Sequence, residues 1–335
     1  MTVRVLVTGG CGFIGSHLVR LLISKDYEVV NLDKLTYAGN PKNLADIENH
    51  PHYSFLQGDI VDREIVRTAM EGAEFVFNLA AESHVDRSID NPEAFLETNF
   101  RGVYVLCETA RSLPSPPRFV QVSTDEVYGS IEKGAFKESD PFSPSSPYAA
   151  AKAAGELLAF SYHKTYGLDV VATRGSNTYG PFQYPEKLIP FFVTEILEGR
   201  NVPLYGDGRQ VRDWLYVEDH ARAILHVATE GRSGEAYNIP GGNEKRNKEL
   251  TLELLKILGV GEERIERVGD RPGHDRRYSV TGKKLAELGF ERRMDFSEGI
   301  RYTVEWYRRN ESWWRPLKEA SKVFFERFYG ALGRK

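Results

Sequence analysis

The first half of the chain alternates short runs of β-branched and aromatic residues with amphipathic segments. The runs are continuously apolar, which is typical of strands buried on both faces of a parallel sheet. Segments such as residues 14–24 and 63–70 place their apolar positions with the period of a surface helix. This alternation predicts an α/β fold built on a doubly wound parallel sheet. The six predicted strands begin at Val3, Tyr27, Tyr53, Phe75, Arg118 and Leu168.

The pattern changes after residue 180, where proline and glycine recur and the helical segments become scattered. We therefore predict two units, residues 1–180 and residues 181–335, of which the second is a smaller lobe of mixed structure. No clean linker separates them, so part of the chain can cross back. Near the end, an apolar stripe at helical spacing is formed by Leu317, Ala320, Phe324 and Phe328. It favours docking onto the chain's own domain or a subunit interface, with a membrane-surface helix as the alternative.

Composition and net charge exclude several classes of function. The 335 residues are 41% hydrophobic and 27% charged, which is ordinary for a soluble globular protein. A net charge of -4 argues against a nucleic-acid binder, which needs a basic surface. No apolar run approaches the roughly 18 residues of a membrane span. Glycines interrupt the N-terminal apolar run too early for a secretory signal. Two cysteines, Cys11 and Cys107, cannot form a disulfide framework. We expect a cytoplasmic protein without a metal site.

Three glycines follow the first predicted strand in the segment VTGGCGFIG, namely Gly9, Gly12 and Gly15. Glycine at these points permits a tight turn and close approach of the backbone to a pyrophosphate at the N-terminus of the next helix. Asp33 ends the second strand, where its carboxylate can bind a ribose 2′-hydroxyl and repel a 2′-phosphate. The pattern predicts a Rossmann-type site for NAD rather than NADP, with Asp59 and Ile60 beside the adenine.

Tyr148 and Lys152 lie four residues apart in a segment of strong helix formers. This spacing places them one turn apart on one helix face. An unperturbed tyrosine, with a pKa near ~10, is a poor base at neutral pH, and a nearby ammonium lowers that value. Tyr148 could then take the proton from a sugar hydroxyl while a hydride leaves its carbon. Chance spacing on a surface helix is the alternative, and the glycine segment weighs against it.

The stretch VSTDEVYG places Asp125 and Glu126 directly after the fifth predicted strand. Neighbouring carboxylates can hold opposite protonation states, because like charges held close push their pKa values apart. In an extended strand the two side chains would point to opposite faces. Joint action on one substrate therefore requires the chain to leave strand geometry at this point. A solvated pair in a loop is the alternative.

In this order, the motifs resemble the extended short-chain dehydrogenase/reductase superfamily and, within it, the dTDP-glucose 4,6-dehydratase family over nearly the whole chain. The resemblance rests on TGGCGFIG, on the tyrosine and lysine four apart, and on seven further segments. These are LDKLTYAGN, AAESHVDRSI, STDEVYG, YGPFQYPEKLIP, LYGDGRQVRDWLYVEDH, NEKRN and DRPGHDRRY. The chain departs from the family at Thr178, where a second asparagine is common. It also has AAA between the tyrosine and the lysine, where serines are common.

The resemblance implies a lyase that uses bound NAD to oxidise C4 of a nucleotide-linked glucose transiently. Glu126 would remove the C5 proton and Asp125 would protonate the departing C6 hydroxyl, before the hydride returns to C6. The implied catalytic residues are Thr124, Asp125, Glu126, Tyr148 and Lys152, with Thr124 bridging Tyr148 and the O4 hydroxyl. The alternatives are a related dehydratase or epimerase for a UDP-sugar or another nucleotide sugar, and a redox-sensing binding protein that has lost catalysis.

The resemblance also implies a homodimer, a role in deoxysugar biosynthesis (for example of rhamnose), and two sets of binding residues. NAD would contact Gly9, Gly12, Phe13, Ile14, Gly15, Asp33, Lys34, Leu35, Thr36, Asp59, Ile60, Ala80, Ala81, Ser83, His84, Thr98, Tyr148, Lys152 and Thr178. The nucleotide sugar would contact Ser83, Thr124, Asn177, Lys187, Leu188, Pro203, Leu204, Tyr205, Arg212, Asn247, Arg271 and His274. The cations of the second set suit a diphosphate.

Overall fold

The computed structural model describes residues 2–269 and 275–332, with side chains up to residue 322. Its strands are β1 (Arg4–Thr8), β2 (Glu28–Asp33), β3 (Tyr53–Gln57), β4 (Phe75–Asn78), β5 (Arg118–Thr124), β6 (Val170–Gly175), β7 (Asn177–Tyr179), β8 (Val202–Tyr205), β9 (Val211–Tyr216), β10 (Glu235–Ile239), β11 (Glu244–Arg246) and β12 (Ile265–Val268).

The α-helices are α1 (Phe13–Ile23), α2 (Arg63–Met70), α3 (Val85–Asp90), α4 (Pro92–Leu96), α5 (Val103–Ser112), α6 (Pro147–Tyr166), α7 (Leu188–Leu197), α8 (Val217–Glu230), α9 (Asn247–Leu258), α10 (Lys283–Glu287), α11 (Phe296–Arg309) and α12 (Glu311–Leu332). A π-helix spans Glu97–Gly102, and 3₁₀ turns span Pro41–Leu44, Asp125–Tyr128 and Glu262–Arg264.

Seven strands form one parallel sheet in the order β3-β2-β1-β4-β5-β6-β10. Helices α1 and α8 pack on one face, and α2, α5 and α6 pack on the other. The strand order reverses between β1 and β4, and at such a point the carboxyl ends of the strands open a crevice for a ligand. The predicted α/β fold with a doubly wound sheet is confirmed.

Each of the six predicted strands is present, and β5 begins and ends where the sequence pattern placed it. The central strands are buried along nearly their whole length. The prediction of burial on both faces is wrong for β3, where Ser54 and Phe55 are exposed. The reason is position, because β3 is the outermost strand and helices cover it incompletely.

The second lobe contains two small sheets and a hydrophobic core of its own. Strand β9 lies between β7 and β11, and β8 pairs with β12. Helices α7, α9 and α11 enclose buried aromatic side chains that include Tyr179, Trp214 and Phe296. Strand β10 and helix α8 come after residue 180, yet β10 pairs with β6 and α8 packs on α1. The boundary at residue 180 stays a prediction, with β10 and α8 as the chain that crosses back.

Helix α12 attaches the end of the chain to both parts of the fold. Trp314 is 1% exposed in the core of the second lobe. The indole N–H of Trp313 donates to the side-chain oxygen of Asn43 at 2.9 Å, beside α1. The Tyr184 hydroxyl donates to the carbonyl of Leu317 at 3.1 Å. The first half of this helix therefore docks onto the chain's own fold, which was one of the predicted alternatives.

The predicted apolar stripe of α12 is only partly visible. Leu317 is half-buried and Ala320 is exposed, while the side chains of Phe324 and Phe328 lie outside the described part. Within residues 2–269 and 275–332, no helix is both long and apolar enough to cross a bilayer.

Candidate active site

The glycine segment forms a tight loop between β1 and α1. Gly9 has a φ of +71°, and a Cβ on it would lie 2.7 Å from the backbone nitrogen of Ala80. A Cβ on Gly15 would lie 2.2 Å from the carbonyl oxygen of Gly9. Gly12 caps α1 without a side-chain hydrogen bond. The first N–H groups of α1 therefore face the cleft without a side-chain acceptor, as binding of a pyrophosphate requires.

The Asp33 carboxylate is held at the end of β2 by backbone donors. Its oxygens accept hydrogen bonds from the N–H of Cys11 at 2.9 Å and the N–H of Leu35 at 2.8 Å. Burial raises the pKa of Asp33, while these two hydrogen bonds work in the opposite direction. Beside it, the Lys34 ammonium pairs with Asp59 at 2.6 Å. The carboxylate is thus fixed at the point where the sequence predicts a ribose hydroxyl.

A long cleft follows the carboxyl ends of β1, β2 and β4. It is lined by these residues of the predicted cofactor set: Gly9, Gly12, Phe13, Ile14, Gly15, Asp33, Lys34, Thr36, Asp59, Ile60, Ala80, Ala81, Ser83, Thr98, Tyr148 and Lys152. Three predicted residues do not line it. Leu35 has a positive φ of 58° and packs against the core, His84 caps α3, and Thr178 lies on β7.

The acid pair lies where strand geometry ends. Strand β5 stops at Thr124, and residues 125–128 form a 3₁₀ turn. The Thr124 hydroxyl caps this turn by accepting from the N–H of Glu126 at 3.3 Å, and it also lies 3.4 Å from a carboxylate oxygen of Asp125. The departure from strand geometry that joint action requires is therefore present. Asp125 is buried and Glu126 is partly exposed.

The surroundings of Asp125 favour the protonated form of its carboxyl group. Burial, together with the negative charges of Glu126 and Asp213, raises its pKa to about 8, against the Arg212 charge and a Ser176 hydrogen bond. Its Oδ2 atom is buried without a partner at hydrogen-bonding geometry. Both observations favour the protonated form at neutral pH, because an ionised carboxylate is costly in such surroundings.

Helix α6 brings the predicted tyrosine and lysine to the same site. Ser146 caps it by accepting from the N–H of Ala149, and Pro147 opens its first turn. Tyr148 packs edge-on against Phe95 and hydrogen-bonds to Thr124. The helix thus delivers the phenol to the end of β5, next to the acid pair.

The electrostatics of this pair differ from the sequence-based expectation. Burial raises the pKa of Tyr148, and the nearby Glu126 and Asp125 charges raise it further, so the lowered value expected from the lysine is not observed. The Lys152 ammonium instead donates to the carbonyl of Val122 at 2.6 Å. Burial also lowers the pKa of Lys152 to about 8, partly opposed by Glu156. Sequence spacing places the two residues together but does not reveal what surrounds them.

Comparison with known proteins gives one family. Residues 6–303 match the family model described as GDP-mannose 4,6 dehydratase. A dTDP-glucose 4,6-dehydratase of Streptomyces niveus is 52% identical over 327 residues, which cover 96% of this chain and 97% of that protein. DesIV, a dTDP-glucose 4,6-dehydratase of Streptomyces venezuelae crystallised with NAD, has a TM-score of 0.92 at 50% identity, with 94% of this chain and 99% of DesIV covered.

The chain belongs to the dTDP-glucose 4,6-dehydratase family. The UDP-glucose 4-epimerase of Thermus thermophilus has the same fold, with a TM-score of 0.84, but only 34% identity over 91% of this chain and 99% of the epimerase. The fold is therefore shared with epimerases, whereas identity near 50% over the whole length is with dehydratases.

The described residues of the predicted sugar-nucleotide set lie at the end of β5, at the cofactor cleft, and on β7, β8, β9, α7 and α9. Lys187, which precedes α7 and lines the cleft, donates to the carbonyl of Ser83 at 2.8 Å. Leu188 opens α7, and Asn247 opens α9. Pro203, Leu204 and Tyr205 lie on β8. Arg271 and His274 lie outside the described residues.

One member of the predicted set, Arg212, is buried next to the acid pair. The Arg212 guanidinium donates to the carbonyls of Val211 and Asp275, and lies 4.3 Å from the ring centroid of Tyr278. The side-chain oxygen of Asn177 is buried without a hydrogen-bond partner, as is that of Asn247. Such acceptors are costly to bury, and a ligand donor would satisfy them.

Sequence reasoning missed a cluster that joins the lobes at the mouth of the cleft. The buried Glu186 carboxylate accepts from the Tyr37 hydroxyl at 2.9 Å and pairs with Arg87 at 3.0 Å. Arg87 also lies over the Tyr37 ring at 3.9 Å from its centroid. Glu186 stands in the quoted segment PEKLIP beside Lys187, but a single sequence does not reveal a contact across 149 positions. Its neighbours Gln183 and Tyr184 line the cleft as well.

Proposed function

We propose that this chain converts dTDP-glucose to dTDP-4-keto-6-deoxyglucose and water, as a step of deoxysugar biosynthesis in the cytoplasm. The observation that carries the proposal is the buried Asp125 beside Glu126 and Tyr148, with a pKa near 8. Epimerisation needs no acid for a leaving hydroxyl, whereas elimination of water needs both an acid and a base. Identity near 50% to dTDP-glucose 4,6-dehydratases supports the same substrate.

The described residues fit NAD as the resident cofactor. The uncapped N-terminus of α1 suits the pyrophosphate, and Asp33 suits an unmodified adenosine ribose. Bound NAD supplies the hydride acceptor for C4 and the hydride donor for C6. Related dehydratases were crystallised with NAD, including one from Bacillus anthracis that is 45% identical.

In the proposed first step, Tyr148 takes the proton of the C4 hydroxyl. Thr124 hydrogen-bonds to Tyr148 and can pass the same proton from the sugar oxygen. Because burial and the two carboxylates raise the pKa of Tyr148, a cation must oppose them in the loaded enzyme. Lys152, one turn further along α6, is the residue of this chain that can supply it once its ammonium leaves the carbonyl of Val122.

In the second step, the ketone at C4 acidifies the proton on C5. Glu126 removes this proton, and Asp125 protonates the C6 hydroxyl, so that the C6–O bond breaks and water leaves. When C6 accepts the hydride, Glu126 returns the proton to C5. The division of roles follows from burial, since Asp125 is buried and keeps its proton while Glu126 is more exposed.

The nucleotide end is proposed to lie in the second lobe. Arg212 and Lys187 offer positive charge to the diphosphate, and the unsatisfied oxygens of Asn177 and Asn247 offer acceptors. Thr178 is engaged elsewhere, because its hydroxyl bonds to the carbonyl of Ser176 at 3.1 Å and to His220 at 2.8 Å.

The decisive experiment assays the purified protein against dTDP-, UDP-, GDP- and CDP-glucose and identifies the products by NMR. We expect dTDP-4-keto-6-deoxyglucose and a kcat/KM for dTDP-glucose at least tenfold above the others. A preference for UDP-glucose would overturn the assignment of the base. A 4-epimer as product would overturn the dehydratase activity itself.

We also propose that the protein is a homodimer. Exposed apolar side chains concentrate on the packed helices α3, α4, α6 and the π-helix, namely Ile89, Leu96, Phe100 and Leu157. Such a patch marks an interaction surface. Light scattering should give a dimer for the wild type and for Tyr302→Glu, which alters an exposed aromatic on α11, but a monomer for Leu157→Glu. A monomeric wild type would refute the proposal.

A further inference from the structure

Asp213 is a buried carboxylate next to the acid pair that the proposed reaction does not use. It is 3% exposed on β9. Two neutral donors hold it, since Oδ1 accepts from the backbone N–H of Asn243 at 2.6 Å and Oδ2 accepts from the Ser176 hydroxyl at 3.4 Å. These two hydrogen bonds fix the position of the Asp213 carboxylate, whose charge contributes to the raised pKa of Asp125.

Sheet register places Ser176 between this carboxylate and the acid pair. Gly175 at the end of β6 pairs with Thr124 at the end of β5. Asn177 at the start of β7 pairs with Trp214 of β9. Ser176 lies between these two pairings, so its hydroxyl reaches Asp213 and also influences the pKa of Asp125.

The groups that face Asp125 come from several elements. Glu126 follows it in the 3₁₀ turn, and Asp213 faces it from β9. Arg212 contributes the opposing positive charge. Tyr148 of α6 is also close to Asp125, whose charge raises the pKa of Tyr148. A proton on Asp125 therefore relieves repulsion from two carboxylates at once.

We propose that Asp213 is a positioning residue that holds the proton of Asp125 in place through the Ser176 hydroxyl. This inference rests on the proposed function, in which Asp125 is the acid that releases water from C6. The hydroxyl proton of Ser176 is directed at Asp213, whereas a hydrogen bond from this hydroxyl to Asp125 lowers the pKa of Asp125. By engaging the Ser176 hydroxyl, Asp213 leaves the proton on Asp125. If Asp125 loses its proton, Asp125 and Asp213 compete for the Ser176 hydroxyl, which can donate only one hydrogen bond.

The test compares Asp213→Asn with Asp295→Asn, which removes a carboxylate from the N-cap of α11, where asparagine is an equivalent cap. In Asp213→Asn an amide N–H can face Ser176, which then turns its own proton toward Asp125 and favours the ionised acid. Infrared titration of the purified protein follows the protonated carboxyl band of Asp125, identified by its absence in Asp125→Asn. We expect its midpoint to fall by about one pH unit or more in Asp213→Asn, on the scale of removing a like charge, and to stay unchanged in Asp295→Asn.

Kinetics give the second measurement. The acid must be protonated, so the alkaline limb of the kcat profile should move to lower pH in Asp213→Asn, while a 6-fluoro substrate, whose leaving group needs no proton, should restore most of the rate. Ser176→Ala removes the hydroxyl that would lower the pKa of Asp125 and keeps the charge of Asp213. Its alkaline limb should therefore stay at or above the wild-type pH, and a shift to lower pH would contradict the proposal. This variant provides the test if Asp213→Asn does not fold.

An unchanged infrared midpoint, or equal losses with both substrates, would overturn the role of Asp213. Because the titration needs no turnover, its outcome is independent of the proposed function. A wild type that titrates as expected but does not dehydrate dTDP-glucose would refute that function and leave the carboxyl arrangement standing.

Discussion

At the scale of single residues, the site depends on a few side chains whose pKa values are set by burial. The sequence identified the acid pair, the tyrosine and the lysine, because they stand close together in two local motifs. It could not identify Asp213, Ser176 or Glu186 as members of the site, because their contacts join distant positions that only the sheet topology brings together. It also misjudged the pKa of Tyr148, which depends on burial rather than spacing.

Tyr148→Phe should reduce kcat at least about a hundredfold, the scale of a lost general base. The ring would still pack edge-on against Phe95, so the fold should survive. Turnover of dTDP-glucose, the Tm and the NAD content of the purified variant check this. Residual kcat above about a tenth of wild type would contradict the role of Tyr148 as the base.

The two carboxylates should respond differently to a 6-fluoro substrate. Fluoride leaves without a proton, so this sugar should rescue Asp125→Asn far better than Glu126→Gln, which still lacks the base for C5. Rapid mixing with absorbance detection separates the oxidation, seen as NADH, from the elimination. Equal rescue of both variants would contradict the assignment of Asp125 as the acid and Glu126 as the base.

Asp125 should also make stability depend on pH. Burial raises its folded-state pKa to about 8, whereas an unfolded aspartate titrates near ~4. Between these values the folded state holds a proton that the unfolded chain has released, so this contribution to stability falls as pH rises. Asp125→Asn has no carboxyl group at this position and therefore lacks this pH-dependent contribution to stability. The Tm difference between this variant and the wild type, measured by calorimetry, should increase from pH 5 to pH 8 in favour of the variant, and a constant difference would refute the raised pKa.

At the scale of elements, the pattern of apolar residues predicted the large sheet well and the second lobe poorly. Strand β5 and helix α2 have the predicted bounds, because each is flanked by turn-forming residues and belongs to a regular alternation. The small sheets of the second lobe were not predicted. Two of their strands, β7 and β11, are three residues long, too short for a periodic pattern to be visible.

The loop between β1 and α1 should not tolerate a side chain at Gly15. A Cβ there would lie 2.2 Å from the carbonyl oxygen of Gly9, so Gly15→Ala must displace the loop that faces the pyrophosphate. We expect the purified variant to retain less than a tenth of the wild-type NAD. Gly269→Ala serves as the control, because a Cβ there meets no atom of the described residues within 4 Å. Full NAD content in Gly15→Ala would show that the loop can shift without cost.

At the scale of the whole molecule, the two lobes are joined more closely than the change in composition at residue 180 indicates. Helix α12 contributes to the core of the second lobe and reaches the region of α1. The buried Glu186 joins the second lobe to Tyr37 and Arg87 at the mouth of the cleft. The change in composition predicts a second lobe, but it does not reveal these side-chain contacts between the lobes.

Substitutions of two neighbouring tryptophans of α12 distinguish the contribution of core packing from that of the hydrogen bond between the lobes. Trp314→Ala should lower the free energy of unfolding by about 3–5 kcal/mol, because it leaves a cavity in the core. Trp313→Phe keeps a ring and loses the hydrogen bond to Asn43, which should cost about 0.5–1.5 kcal/mol. Urea denaturation measures both. A larger loss from Trp313→Phe than from Trp314→Ala would contradict the placement of the helix.

The late position of β10 in the chain has a consequence for biosynthesis. Strand β6 has an open hydrogen-bonding edge until Glu235–Ile239 has been synthesised and has left the ribosome. An apolar parallel strand with an open edge is a template for pairing with another chain. The nascent protein therefore carries this exposed edge through the synthesis of about sixty residues, from the end of β6 to the start of β10, an interval in which chaperone binding would protect it.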